Sequence, residues 1–112
     1  SHETLTRNPE EFAEMLAGFS RRNAGRLARL EVDDPLIGAQ VQEEGYALMG
    51  AAYDPNDRRV QLMLGEPGGA IEQHLTRSIA DATSLMIVAD DDDRDVALRV
   101  QHGDGQTLLE FA

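Results

Sequence analysis

Three stretches of the chain hold residue types that chemistry uses. In His74-Leu75-Thr76-Arg77 an imidazole, a hydroxyl and a guanidinium lie close enough in sequence to converge on an anion, although polar side chains beside a loop also serve to satisfy its backbone. His102-Gly103-Asp104 has a His-x-Asp spacing that a strand end can present together, fit for a metal or acid–base site with one imidazole and one carboxylate. The structural alternative is a rim histidine bonded to its own turn. Arg21, Arg22, Arg26 and Arg29 make the one basic patch. Arg22, Arg26 and Arg29 would share a helical face if the helix ran that far, but Gly25 breaks that register, and pairing with the acidic remainder of the chain is the competing role.

Other constellations fail on chemistry. Asp90-Asp91-Asp92-Asp93-Arg94-Asp95 offers many carboxylate oxygens, yet a calcium loop counted from Asp90 places Arg94 at its fifth position, Asp95 where glycine belongs and Gln101 where the bidentate glutamate belongs. The run is expected to be a solvated hairpin loop, and no metal is assigned. Gly65-Glu66-Pro67-Gly68-Gly69 lacks the lysine and hydroxyl of a phosphate loop, and Glu66 would repel phosphate. Neither Ser20, Ser78 nor Ser84 sits in a nucleophile elbow. There is no cysteine, so thiol, disulfide and iron–sulfur chemistry is excluded, and all ten basic residues are arginine, which excludes Schiff-base and lysine-base mechanisms. No cofactor is expected.

The elements that must position these groups are legible from periodicity. Asn8-Pro9-Glu10-Glu11 reads as a helix start, with Asn8 as cap, Pro9 at the first position and Glu11 closing a capping box. Phe12, Met15, Leu16 and Phe19 form one apolar stripe, predicting a helix over about 9–21. Alternation at Ala28, Leu30 and Val32 predicts the first strand, with a weak second strand at Ile37–Gln42. Tyr46–Tyr53 and Arg59–Leu64 flank Asp54-Pro55-Asn56-Asp57 as a hairpin pairing Tyr53 with Arg58 and Met49 with Leu62. Residues 70–79 fit either a strand or a short helix. Leu85–Ala89, apolar on both faces, suits an interior strand or a barrel strand near an interface, and an Asp104-Gly105 turn closes a last hairpin pairing Val100 with Leu109, Leu98 with Phe111 and Arg99 with Glu110. The expected fold is α+β, an N-terminal helix on a six- or seven-stranded, mainly antiparallel sheet or small barrel.

At 112 residues the chain should form one domain, 1–112, with residues 1–7 flexible and Ser1 and His2 read as a tag remnant. The net charge of −11 is uneven: residues 1–30 hold four acids and five arginines, and the rest hold seventeen acids and five arginines. That opposes nucleic-acid binding. No apolar run approaches the roughly 20 residues that span a bilayer, and no signal peptide is visible, so a cytoplasmic location without membrane attachment is expected.

Gly38-Ala39-Gln40, Leu48-Met49-Gly50-Ala51-Ala52-Tyr53-Asp54-Pro55-Asn56-Asp57, His74-Leu75-Thr76-Arg77-Ser78-Ile79 and Asp104-Gly105-Gln106-Thr107-Leu108-Leu109-Glu110-Phe111 together resemble a small bacterial family known as domain of unknown function 5335. The resemblance implies an extended conformation for His74–Ile79 and points to His74, Arg77 and Tyr53-Asp54 as polar positions to test. It carries no activity, cofactor or catalytic residue.

Two functions compete on these grounds. One is a non-catalytic protein-interaction or binding module, using the helix, the first strand's edge and Arg22 and Arg26, with a protein partner or a second copy; an acidic body could draw a basic protein. The other is a small-ligand receptor or enzyme with His74, Thr76 and Arg77, joined by Tyr53 or His102, around a barrel mouth.

Overall fold

In a computed structural model, which describes residues 2–67 and 74–112, the capping signal at Asn8 starts the helical segment. The Asn8 side-chain oxygen accepts the Glu10 N–H at 3.1 Å, and a 3₁₀ turn, Pro9–Glu11, leads into helix α1, Phe12–Asn23. Glu11 does not close a capping box; its carboxylate accepts the Thr6 hydroxyl at 2.6 Å. Phe12, Leu16 and Phe19 are fully buried. The Ser20 hydroxyl accepts the Ala51 N–H at 2.7 Å, pinning the helix to the sheet beneath it.

The strands are β1 His2–Thr6, β2 Leu27–Asp34, β3 Gly38–Asp54, β4 Arg59–Gly65, β5 His74–Ala80, β6 Ala82–Ala89, β7 Asp95–His102 and β8 Gly105–Phe111. They form one antiparallel sheet of eight strands in the order β1-β6-β7-β8-β2-β3-β4-β5. The expected six or seven strands undercount it. His2–Thr6, expected to be flexible, is an edge strand on β6, and the two strands expected at Ile37–Gln42 and Tyr46–Tyr53 are one continuous β3. Gly45, at φ +84°, is a bulge that bends β3 without ending it. His74–Ala80 is strand; the remainder of the ambiguous 70–79 segment, and Gly68 and Gly69 of the Gly65–Gly69 loop, lie outside the described residues.

The sheet is open, since β1 and β5 end it and no barrel closes. It must nevertheless curl. β5 and β6 stand six strand intervals apart, about 29 Å in a flat sheet at ~4.8 Å each, yet Asp81 alone joins them. Asp81 takes φ +55° and donates its N–H to the Arg58 carbonyl at 3.1 Å, making that corner. The concave face collects Leu30, Val60, Leu62, Leu64, Ile79, Leu85, Leu98, Val100 and Leu109 with the helix stripe, forming one core.

Two hairpin registers differ from expectation. In β3–β4, Tyr53 faces Val60 and Ala51 faces Leu62, because Asp54 ends the strand with an Asx turn to the Asn56 N–H at 2.9 Å and shifts the loop by one residue. A bulge at Met49 then reverses parity: Leu48 is fully buried and Met49, expected inside opposite Leu62, is 48% exposed. In β7–β8 the turn is Gly103-Asp104, with Gly103 at φ +57°, so Val100 meets Thr107, Leu98 meets Leu109 and Arg99 meets Leu108. A two-residue slip preserves the faces, so the core survives while the expected Arg99–Glu110 pair is lost. Gly105 serves a different purpose. A Cβ there would lie 2.7 Å from the Asp33 carbonyl oxygen, so β8 can run this close to β2 only with glycine.

Candidate functional site

Strand alternation splits the expected His74-Thr76-Arg77 cluster. Arg77 has the same parity as half-buried Leu75 and buried Ile79 and faces the concave side, whereas His74 and Thr76 are exposed on the other face. An anion cannot be held by all three at once.

Arg77 instead reaches Glu43 on β3, with its terminal nitrogen 2.6 Å from Oε1. Glu43 faces inward because it sits opposite Leu30 in the β2–β3 register. Beside this pair lies a cavity of about 260 Å³ between β2, β5 and the β7–β8 hairpin, lined by Leu30, Val32, Arg77, Ile79, His102 and Thr107, together with Ser78 and Ala80. Arg77 and His102 are thus the two expected site residues that the curl brings to one place. His102 Nε2 lies 2.9 Å from the Thr107 hydroxyl, which is itself buried. A wider cavity of about 440 Å³ adjoins it, sharing Val32 and His102 and reaching Asp104 and the β2–β3 turn at Asp33–Leu36. His102 and Asp104 do share that wall, but the imidazole's bond is to the Thr107 hydroxyl on β8 and not to its own turn.

Tyr53 and Asp54 stand elsewhere. Tyr53 packs edge-on against Phe12 at 5.2 Å between ring centres, and Asp54 caps its own turn.

Arg22 and Arg26 are both tied to Asp95, Arg26 half-buried and Arg22 with half of its side chain exposed. Asp95 is 6% exposed at the start of β7, and its Oδ2 accepts from Arg22 Nε at 2.8 Å and from the Asn23 amide at 2.7 Å. Arg26 donates to the Asp95 carbonyl at 2.6 Å and to Asn23 Oδ1 at 2.9 Å, with its guanidinium 4.1 Å over the Phe111 ring. Burial, then the neighbouring Arg94, lowers the Arg26 pKa, with Asp95 and Asp90 opposing. The first predicted strand offers no free edge to a partner, since β2 is paired on both sides, by β3 and β8. Further cavities lie beside Glu44 and Phe111, about 370 Å³, and beside Met15 and Asp95, about 350 Å³.

The acidic run forms a self-bonded turn. Asp90 Oδ1 accepts the Asp92 N–H at 2.9 Å and the Arg94 N–H at 3.0 Å, and these backbone bonds hold the Asp90 pKa below 3.8. Among the described residues no three His, Asp or Glu side chains are placed to hold a metal ion.

Glu43, Thr107 and Asp95 carry much of this chemistry and were not anticipated. Thr107 had a signal, being the polar residue at an inward-parity position of β8; Glu43 had none, because its direction depends on the bulges in β3.

Among the described residues the most exposed large apolar side chains lie on the β2–β3 arm. Leu36 is 92% exposed, Ile37 66% and Val41 44%. β4 pairs with β3 only from Ala47 to Asp54, so no described strand covers the outer edge of Gly38–Glu44.

A family model, "Family of unknown function (DUF5335)", matches residues 1–112. No curated protein and no solved structure matches the chain. No helix is long and apolar enough to cross a membrane.

Proposed function

The chain belongs to this family of unknown function, and we propose that it is a non-catalytic protein-interaction module that takes an extended, basic partner segment as an added strand on the free edge of β3. The observation that carries this is the arm itself. A seven-residue edge, Gly38–Glu44, stands without a described partner strand beside three exposed aliphatic side chains. Unpaired backbone N–H and C=O groups are a template for another strand, and exposed aliphatics reward covering them. Charge selects the partner. Residues 31–44 contain five acids and no arginine, so a second copy of the arm meets like charge, whereas a basic segment is attracted. Dispersal of the polar candidates supports a role without catalysis, because His74 and Thr76 face away from Arg77 and His102.

The test uses an eight-residue peptide alternating lysine and valine, titrated into the ¹⁵N-labelled protein, with an otherwise identical glutamate–valine peptide beside it. The lysine peptide should shift and protect amides along Gly38–Glu44, weakening steeply with salt, and Val41→Lys should abolish the effect. Perturbation confined to β1 or β5, equal binding of the glutamate peptide, or no response would overturn the proposal. Light scattering adds a further check, since a salt-insensitive dimer lost in Val41→Lys would instead assign the edge to a second copy.

A further inference from the structure

The open sheet ends at β1 and β5, and the Gly38–Glu44 arm of β3 adds a third edge. Each can template another strand, so the side chains along it decide which strand is accepted. The arm is acidic, and β5 carries Arg77 without an acid. β1 and the residue after it differ: Glu3-Thr4-Leu5-Thr6-Arg7 sets one acid and one arginine at equal distances on either side of Leu5.

β1 pairs with β6 alone, and among the described residues no other strand or backbone hydrogen bond reaches its outer side. Glu3, Leu5 and Arg7 are exposed, and neither Glu3 nor Arg7 has an ion-pair partner among the described residues. Thr4 stands opposite buried Ile87, so Glu3 and Leu5 face the outside of the sheet, with Leu5 opposite half-buried Met86. Leu5 thereby continues the outward apolar face of Leu85–Ala89, whose other face is in the core.

Two copies related by a two-fold axis present the same edge to each other, and antiparallel pairing about that axis sets outward residues opposite outward residues. Only alternate registers are then open. Centring the axis on Leu5 opposes Leu5 with its own counterpart, Thr4 with Thr6, and Glu3 with Arg7 twice over. Centring on Thr4 leaves Glu3 against Leu5, and centring on Glu3 opposes two glutamates. Opposite charges and matched side chains directly across a strand pair are favourable, and like charges are not. The Leu5 pair also joins Met86 of each copy into one apolar strip.

We infer that β1 is a self-association edge: a second copy adds its β1 antiparallel, with Leu5 against Leu5 and Glu3 against Arg7, and the sheet runs on through both subunits. A strand pair this short makes a weak, reversible dimer. The contact leaves Gly38–Glu44 free and does not rest on strand addition there.

Sedimentation equilibrium of the full chain up to ~1 mM, with the ¹⁵N amide spectrum followed over the same range, tests it. A dimer should form with concentration and move the amides of Glu3–Thr6. Glu3→Arg or Arg7→Glu alone should weaken it about tenfold, because both symmetry-related pairs turn repulsive at once. Combining Glu3→Arg with Arg7→Glu should restore it. Leu5→Lys should abolish it, whereas Val41→Lys should leave it intact. All four positions are exposed, so the fold should survive each change, and unaltered amides in β7 and β8 check that it does. A monomer throughout, a dimer indifferent to both reversals, or no recovery in the double variant overturns the proposal. A dimer that moves only Gly38–Glu44 also overturns it, by placing the contact on the arm.

Discussion

The Asn23 amide nitrogen lies 2.7 Å from Asp95 Oδ2, joining the last residue of α1 to the first residue of β7. Both side chains are buried, and Asn23 also donates to the Phe19 carbonyl at 2.9 Å. The bond closes a polar cluster with Arg22 and Arg26 that fixes where the helix leaves the sheet.

Asp95→Ala removes the acceptor shared by Asn23 and Arg22. The variant should lose about 1–3 kcal/mol, because the Asn23 amide keeps only one bond in a site closed to water. Arg22→Ala should lose less, about 0–1 kcal/mol, since half of the arginine side chain is exposed and its ion pair is screened. Urea unfolding of both variants checks the order, and an equal loss would place the energy in the ion pair.

Asp90 should make stability pH-dependent in the acid range. Its pKa is depressed in the folded state by the Arg94 and Asp92 N–H bonds, so its contribution is present above the unfolded value near 3.8 and is lost as pH falls through the lower folded value. Asp90→Asn keeps an acceptor oxygen but cannot ionise. Between pH 6 and pH 2 (about, the range bracketing carboxylate titration) the unaltered protein should lose more stability than the variant. Parallel unfolding curves would contradict the assignment.

The bulge at Met49 predicts opposite outcomes at adjacent positions. Leu48→Ala should lose about 2–5 kcal/mol as a fully buried leucine. Met49→Gln should change stability by no more than about 0.5 kcal/mol, as expected of an exposed site. The regular hairpin expected from periodicity would reverse the two.

Gly103 and Gly105 separate two reasons for glycine in one hairpin. Gly103→Ala should lose about 1–2 kcal/mol, from a left-handed backbone that Cβ opposes. Gly105→Ala has no such conformational restriction, but its Cβ would stand 2.7 Å from the Asp33 carbonyl oxygen, so it should lose about 1–3 kcal/mol as β2 and β8 separate. Amide shifts spreading to Asp33 in the second variant alone would identify that cause.

Much of the architecture was legible because it depends on near neighbours. The Asn8 cap, the Phe12–Phe19 stripe and the inward parity of Leu98, Val100 and Leu109 require only a few adjacent residues to be read. The candidate site was less so. Arg77 and His102 were visible as polar residues, but a side chain's neighbour across a curled sheet is set by strand order and twist, neither of which leaves a local pattern. The pairing of Arg22 and Arg26 was not legible because its acceptor, Asp95, lies about seventy positions away.

The sequence by itself determined the helix, the inward parity of β2 and of the last hairpin, and a net charge of −11, since backbone periodicity and charge are properties of short segments. The tertiary structure alone decided the hairpin registers, the Met49 bulge, the role of Gly105 and the meeting of Arg77 with Glu43 and His102. Each of these depends on contacts between strands distant in the chain, where packing on both neighbours outweighs the local turn preference.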